Sequence, residues 1–389
     1  MSASMTQWLE RQATVRERRG LVRRPSARGA GEHFVDLASN DYLGLSRDPR
    51  LAEAAAAAGS LWGTGATSSR LVAGTTELHL ELEQELARLT GMEAALVFSS
   101  GYLANLGVIT ALGGPGTLIV ADEHCHASMI DGFRLSRSRT ESFRHNGLDE
   151  AGRLLAGRTE PRALIAVESV YSVLGDEAPL PGLLALAEQH DAVLLVDEAH
   201  SLGVAGAGGY QGYGSVAGTV LASHPNVVVT ATLSKALGSQ GGAVLGPALL
   251  REHLINRSRS FIFDTGLAPA SAAAALAAVR IIREEPWRAG AVRSNADALA
   301  RGLASVLHSR GSALEQAAGA VQSIAMPSAA SAVEATDAAR SAGLRIGCFR
   351  PPSVPDGVSR LRLTARATLT PQDIEHSCAV LRSILEELP

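Results

Sequence analysis

The chain of 389 residues predicts an α/β fold, with a large domain on a mostly parallel sheet and a smaller α+β domain at the C-terminal end. Three observations predict it. Apolar runs alternate with helical segments and are apolar on both faces, as strands covered on each side are. The residues able to do chemistry (Ser100, His126, Glu168, Asp197, His200 and Lys235) all fall at the carboxyl ends of those runs, where open parallel sheets bind ligands. Past the long alanine-rich helix near 270–284 the alternation gives way to a mixture of helices and strands. The expected division is an N-terminal helix and arm over 1–45, a large domain over 46–275 and a small domain over 276–389.

Residues 7–24 read as a basic helix carrying Arg11, Arg16, Arg18, Arg19, Arg23 and Arg24. Such a run is a solvated face, or in part the lining of a channel for an anionic substrate. FVDLASNDYLGLS reads as a short strand and a polar turn at Asn40-Asp41, and residues 49–58 as an alanine-rich helix. Residues 63–79 read as a Gly/Ser/Thr loop, poor enough in side chains to touch a ligand or a second chain, running into the helix LELEQELARLTG. Then ALVFSS is a strand, GYLANLGVITAL a helix, TLIVAD a strand and HASMIDGFRLS a helix. RALIAVESV is a strand, LPGLLALAEQHD a helix, and AVLLVDEAH and NVVVTATLSK are strands. Beyond RSFIFDTGLAP come two helices, the strand AVQSIAMP, a helix near 331–342, the segment RIGCFRPPSVP, the strand SRLRLTARA and a closing helix.

Composition narrows the classes. Hydrophobic content of 46% and charged content of 19% are those of a globular protein. A net charge of −4 gives no general reason to expect nucleic acid or an anionic membrane surface as partner. No apolar run reaches the ~18 residues of a membrane span, and the charged N-terminus lacks the apolar core of a signal peptide. Three scattered cysteines, Cys125, Cys348 and Cys378, suit a reducing cytoplasm. The eleven histidines form no metal-binding motif.

Chemistry concentrates around TATLSKALGSQGG. Lys235 is the sole lysine, so every other basic residue of the 35 Lys+Arg is arginine. An amine can lose its proton and attack a carbonyl, whereas a guanidinium stays charged. In VLLVDEAH, Asp197 ends a buried strand, where a carboxylate calls for a cationic partner such as a protonated pyridine nitrogen. The same position also suits a carboxylate that caps the next turn; a magnesium-binding acid is disfavoured because no GxxxxGK[ST] occurs. Ser100-Gly101-Tyr102 stands where a strand meets a helix N-terminus, a cradle for phosphate and equally an ordinary N-cap. Thr232 can add a hydroxyl to the same anion. A lysine, a strand-end aspartate and a phosphate-binding helix end point together to pyridoxal 5′-phosphate.

These residues and the stretches SNDYLGLS, TSSRLVAGTTELHLELEQELA, FSSGYLANLGVI, HASMIDG, VESVYSVLGDEAPL, VDEAHSLGVAGAGG, TLSKALGSQGG and RPPSVPDGVSRLRLT resemble the α-oxoamine synthases, a group of fold-type-I pyridoxal-phosphate enzymes. The resemblance runs almost end to end. It implies a seven-stranded, mostly parallel sheet and a homodimer with active sites at the interface. It also implies a decarboxylating condensation of an amino acid with an acyl thioester. Arg350-Pro351-Pro352 favours the member that uses L-alanine with pimeloyl-CoA or pimeloyl-acyl carrier protein over sisters that take glycine or serine with another acyl-CoA. An aminotransferase or lyase on the same fold needs the same Lys and Asp; a degenerate regulatory subunit is not expected to keep the lysine.

By matching position, the resemblance implies that Lys235 holds the cofactor and moves the substrate proton. His126 would stack on the ring, Asp197 would bind the ring nitrogen and His200 the ring hydroxyl. Glu168 and Ser172 would lie near the ring, and Thr232 with Ser100, Gly101 and Tyr102 near the phosphate. Thr265 would reach the partner subunit's phosphate. Arg362 would clamp the amino-acid carboxylate, and Asn40, Arg23 and Arg350 would serve the acyl substrate. Two stretches depart from the group's pattern: Val173 and Leu174 replace Met and Asp, and Glu198 and Ser201 stand beside Asp197 and His200. Both departures bear on substrate preference.

Overall fold

The computed structural model describes all residues except 24, 26, 207, 311–313, 315, 316, 352, 388 and 389, so Arg24 and Pro352 lie outside the described residues. In chain order the elements are α1 (Ala3–Arg18), β1 (Val35–Leu37), α2 (Pro49–Trp62), α3 (Glu77–Thr90), β2 (Ala94–Phe98) and α4 (Gly101–Leu112). Next come β3 (Thr117–Asp122), α5 (Ala127–Ser136), β4 (Arg139–Phe143), α6 (Leu148–Ala156), β5 (Arg162–Glu168), α7 (Leu180–Gln189), β6 (Ala192–Asp197), β7 (Val227–Thr232) and β8 (Gly242–Gly246). The chain closes with α8 (Ala248–Arg257), α9 (Arg259–Ile262), α10 (Pro269–Glu284), α11 (Trp287–Ser309), β9 (Val321–Ala325), α12 (Ala329–Ser341), β10 (Leu344–Phe349), β11 (Arg360–Thr364) and α13 (Pro371–Glu387).

The larger sheet has seven strands in the order β2-β8-β7-β6-β5-β3-β4, with β8 alone antiparallel to its neighbours. Strand alternation explains why its central strands are apolar throughout. Leu118, Val120, Ile165, Val167, Leu194 and Val196 face one layer, packed with Leu82 and Leu183 of α3 and α7. Ile119, Ala121, Leu164, Ala166, Leu195 and Val228 face the other, packed with Val108 of α4 and Met129 of α5. The smaller sheet is β1-β10-β11-β9, and the N-terminal strand β1 joins it in parallel with β10. No helix among the described residues is long and apolar enough to cross a membrane, and among them no His, Cys, Asp and Glu cluster is arranged to hold a metal ion.

The structure differs from the sequence reading along the chain, and it adds helix α8 between β8 and RSFIF. The basic helix spans Ala3–Arg18 rather than running to 24; it ends ahead of Gly20, whose φ of 63° breaks helical geometry, and none of its residues is buried. Strand β4 and helix α6 were not foreseen, because RTESF is an edge strand and mostly polar. Segment RIGCF forms β10. The glycines after Lys235 include an unforeseen strand, β8, with the sequence GAVLG.

Those glycines serve close backbone contact. A Cβ on Gly242 would stand 2.4 Å from Gly101 N and 2.5 Å from Ser100 C, so β8 backs directly onto the start of α4. Gly238, at φ 61°, lies against the backbone of Leu45 and Ser46 in the same way. The substitution Gly242→Ala is expected to cost about 1–3 kcal/mol of stability by overpacking. The thermal midpoint checks this, and an unchanged midpoint would show that the α4 terminus can retreat freely.

Candidate active site

Parallel register brings three polar residues to one edge of the sheet. Glu168 at the end of β5 lies opposite Asp197 at the end of β6, which lies opposite Thr230 of β7. They border a cavity of about 250 Å³. Ser100, Gly101 and Tyr102 enter it from the start of α4, His126 from the start of α5, and His200, Thr232 and Lys235 from the loops and strand ends between. Nine residues singled out from the sequence therefore share one site.

Asp197 is buried and held on both oxygens. Its Oδ1 accepts from the Ala199 amide at 2.8 Å and its Oδ2 from Asn105 Nδ2 at 2.7 Å. Asn105 is fixed in turn: Thr230 Oγ1 donates to its Oδ1 at 2.7 Å, and its Nδ2 also reaches Ser128 Oγ at 2.9 Å. Ser128 Oγ lies 2.8 Å from His126 Nδ1, so the imidazole at the cavity rim belongs to the same network. The carboxylate thus keeps its orientation through neutral donors, with no ion pair among the described residues. Asn105, Ser128 and Thr230 were missed from the sequence. The one available signal was the spacing of Asn105, one helical turn beyond Gly101 on the face toward the sheet.

A second network starts at Lys235. Its Nζ lies 2.7 Å from His200 Nε2, and His200 Nδ1 lies 2.6 Å from the hydroxyl of Tyr42. Tyr42 also donates to Asn40 Oδ1 at 3.2 Å, and that oxygen accepts from Arg362 Nη1 at 3.0 Å. Arg362 Nε donates to the Ser172 carbonyl at 2.7 Å, and the Ser172 amide donates to Glu168 Oε2 at 3.0 Å. Asn40, Ser172 and Arg362 therefore stand behind the cavity, linked to it by hydrogen bonds. Tyr42, fully buried, is the link that the sequence did not reveal.

Low solvation shapes the titration of these groups. Burial pushes Glu168 up to about 8, and the neighbouring Asp197 charge adds to the effect. Its Oε1 is buried without a hydrogen-bond partner. Burial brings Lys235 down to about 8, against the pull of Asp197 and Glu168. His200 is driven well below the usual imidazole range, first by burial and then by Lys235 and Arg362, so it is neutral. Since Lys235 is the sole lysine, mass mapping of the labelled peptide separates its amine from the N-terminal one. In cofactor-free protein, the rate of labelling at Lys235 by an amine reagent is expected to rise with a midpoint near pH 8. A midpoint at the ordinary value of 10.5 would mean that the amine stays in bulk water.

Three residues lie elsewhere. Arg23 and Arg350 line a separate surface cleft of about 900 Å³ with Glu17, Glu334 and Asp337. Arg350 donates to the carbonyls of Gly20 and Val22, the latter at 2.8 Å, and Arg23 donates to Ser353 Oγ at 3.0 Å. Both guanidiniums thus fasten the N-terminal arm to the segment after β10. Thr265 is exposed and forms an isolated β-bridge with Ser69, outside the cavity. In the second departing stretch both residues have structural partners: Glu198 accepts from the Val216 amide at 2.8 Å, and Ser201 Oγ lies 2.7 Å from Ser169 Oγ.

The residues present fit pyridoxal 5′-phosphate. A fixed, uncompensated aspartate suits a protonated ring nitrogen. The hydroxyls of Thr232 and Ser234, 2.8 Å apart, stand beside the α4 N-terminus, where Ser100 Oγ caps Leu103 N at 3.2 Å and Ser100, Gly101 and Tyr102 line the cavity. The amine of Lys235 opens into the same space.

Comparison with known proteins agrees. The family model for aminotransferase class I and II matches residues 32–381. The 8-amino-7-oxononanoate synthase of Mycobacterium sp. (strain JLS) is 50% identical over 378 residues, covering 97% of this chain and 96% of that one. The enzyme of the same name from Mycobacterium tuberculosis (strain ATCC 25177 / H37Ra) is 48% identical over 380 residues, covering 97% and 95%. Among solved structures, Sphingomonas wittichii serine palmitoyltransferase superposes with a TM-score of 0.85 at 30% identity, covering 100% and 99%. The 8-amino-7-oxononanoate synthase of Francisella tularensis gives 0.76 at 25% identity, covering 91% and 98%. The chain belongs to the class I and II aminotransferase family of fold-type-I pyridoxal-phosphate enzymes and, within it, to the 8-amino-7-oxononanoate synthases.

Proposed function

We propose that the protein joins L-alanine to the acyl group of a pimeloyl thioester, carried on CoA or on an acyl carrier protein. The products are 8-amino-7-oxononanoate, CO₂ and the free thiol, a step of biotin biosynthesis. The observation that carries this reading is 50% identity to a synthase of that name across 97% of the chain. Bound pyridoxal 5′-phosphate supplies an aldehyde that condenses with amines and a ring that draws electrons from the adjacent carbon.

The chain's own residues do the rest. Lys235 would hold the cofactor and would remove and return the proton at the alanine Cα; its lowered basicity favours the neutral amine that this work needs. Asp197, oriented by Asn105 and Ala199, keeps a proton on the ring nitrogen. His126, at the cavity rim, would cover the cofactor ring and would offer a hydrogen bond to the substrate carboxylate. His200 takes the ring hydroxyl, with Glu168 and Ser172 beside it. The α4 amides at Ser100, Gly101 and Tyr102 take the phosphate together with Thr232. Arg362 holds the alanine carboxylate, a task suited to a planar guanidinium. Asn40 serves the acyl chain, and Arg23 and Arg350 act on it through the N-terminal arm. The protein works as a cytoplasmic homodimer, with Thr265 reaching the partner subunit's phosphate.

The test is to mix cofactor-loaded protein with L-alanine and then pimeloyl-CoA, following absorbance and free thiol. A spectral change with alanine, then thiol release that requires the pimeloyl donor, supports the reading. The likeness to serine palmitoyltransferase supports a second one, a sister synthase taking serine or glycine with another acyl-CoA. A spectral change with serine or glycine, and no thiol from pimeloyl-CoA, would select the sister.

A further inference from the structure

A half-buried charge cluster lies outside the cavity, at the neighbouring strand ends. His145 stands in the turn between β4 and α6, with Nδ1 3.0 Å from Asp122 Oδ1 and Nε2 2.7 Å from Asp176 Oδ2. Asp122 is the last residue of β3; it also accepts from the amides of His124 and Asn146, each at 2.8 Å. The side-chain amide of Asn146 adds a bond to Asp176 Oδ2 at 3.1 Å. Both ring nitrogens of His145 face carboxylates, so both carry protons. Burial opposes that charge, but Asp122 and Asp176 outweigh it and hold the imidazole up at about 10. The rings of His124, stacked at 4.2 Å, and Tyr171, edge-on at 4.4 Å, fix the plane of His145.

Asp176 closes a loop that reaches the active site. Its carbonyl accepts from the Tyr171 amide at 2.9 Å, and the Gly175 amide bonds the Tyr171 carbonyl at 2.9 Å, so residues 171–176 form one compact turn. The inner edge of that turn is Ser172, which bonds Glu168 through its amide and Arg362 through its carbonyl. The outer edge is Asp176, held by His145. Asn146 makes the same link with neutral bonds, to Asp122 through its amide and to Asp176 through its side chain, and His145 adds the positive charge between the two carboxylates.

We propose that His145, held as an imidazolium between Asp122 and Asp176, is a positioning residue for the amino-acid subsite: it fixes the 171–176 turn so that the Ser172 carbonyl aims Arg362. This rests on the reading of Arg362 as the group that binds the amino-acid carboxylate. His145 itself touches no residue of the cavity; it acts through the loop. A guanidinium released from Ser172 keeps its Nη1 bonds to Asn40 and Thr364 but loses the bond that fixes its Nε edge, and misplaced binding groups weaken the hold on the substrate that they contact.

The experiment uses the cofactor-loaded protein with His145→Gln, which keeps size but removes the charge, and Asp176→Asn, which removes the other half of the pair. Each is expected to raise KM for L-alanine about tenfold, with kcat within about twofold and KM for the pimeloyl donor unchanged. In cofactor-free protein, hydrogen exchange at the amides of 171–176 is expected to quicken while that of β5 and β6 stays the same. An unchanged alanine KM in both variants overturns the proposal. So does a parallel loss in kcat, both KM values and thermal midpoint, which marks a merely structural role. Arg362→Lys separates the two readings. If it raises alanine KM while the His145 and Asp176 variants do not, only the positioning role fails. If it leaves alanine KM unchanged, the carboxylate reading of Arg362 fails, and the proposal with it.

Discussion

Replacing Lys235 with alanine is expected to lower kcat by at least about 10³-fold, since the change removes both a covalent attachment and a general acid–base. The site has no substitute for this amine. Lys235 is the sole lysine of the chain, and the N-terminal amine belongs to Met1, which is exposed ahead of α1. The nearest other base, His200, is neutral and bonded to Tyr42 on its far side, so it can steer a proton at Lys235 but cannot form the covalent link. Arginine at 235 is expected to be as inactive as alanine, because a guanidinium stays protonated. Mass measurement after borohydride reduction gives a readout independent of turnover: the native chain is expected to retain one cofactor equivalent and K235A none. A variant with near-native turnover and a retained cofactor mass would place the chemistry on another group.

The parts of this site that could be read from the sequence are those whose local pattern states their job. Asp197, Glu168 and Thr232 end strands that are apolar on both faces, and a polar residue at such a point announces the sheet's working edge. Strand β4 escaped because an edge strand, exposed along RTESF, has no need of an apolar pattern. Strand β8 escaped because its role, to let backbone press against the start of α4, selects small residues that resemble a loop.

Long-range partners were illegible for a different reason. Nothing local marks Tyr42 as the partner of His200, 158 residues away, or Asn105 as the partner of Asp197, 92 residues away. Each is a polar residue whose value appears only when the fold closes. The reverse holds for Arg23 and Arg350: the family pattern singled them out, yet their guanidiniums bind Ser353 and the carbonyls of Gly20 and Val22 and so govern the arm first. Leu174 and Ser201, which depart from the group's usual residues, neither enter the cavity lining nor disturb the bonds of Asp197.

The second large effect is expected at Asp197, where charge and orientation can be separated. Asp197→Asn keeps the shape but removes the negative charge opposite the ring nitrogen. One of the two present donors, the Ala199 amide or Asn105 Nδ2, would then face a donor instead of an acceptor. Loss of a preorganised electrostatic partner of this kind is expected to lower kcat by about 10²–10³-fold. Asn105→Ala leaves the carboxylate in place and removes one of its two positioning bonds, along with the tie to Thr230 and Ser128. Its expected loss is nearer tenfold, the scale of one hydrogen bond to a charged group. Steady-state rates at saturating alanine, compared between the two variants, check the order. A large loss in Asp197→Asn beside a modest one in Asn105→Ala identifies charge at the ring nitrogen as the main contribution. Equal losses would mean that the network acts by orientation, and that Asp197 serves chiefly to hold the turn that carries His200.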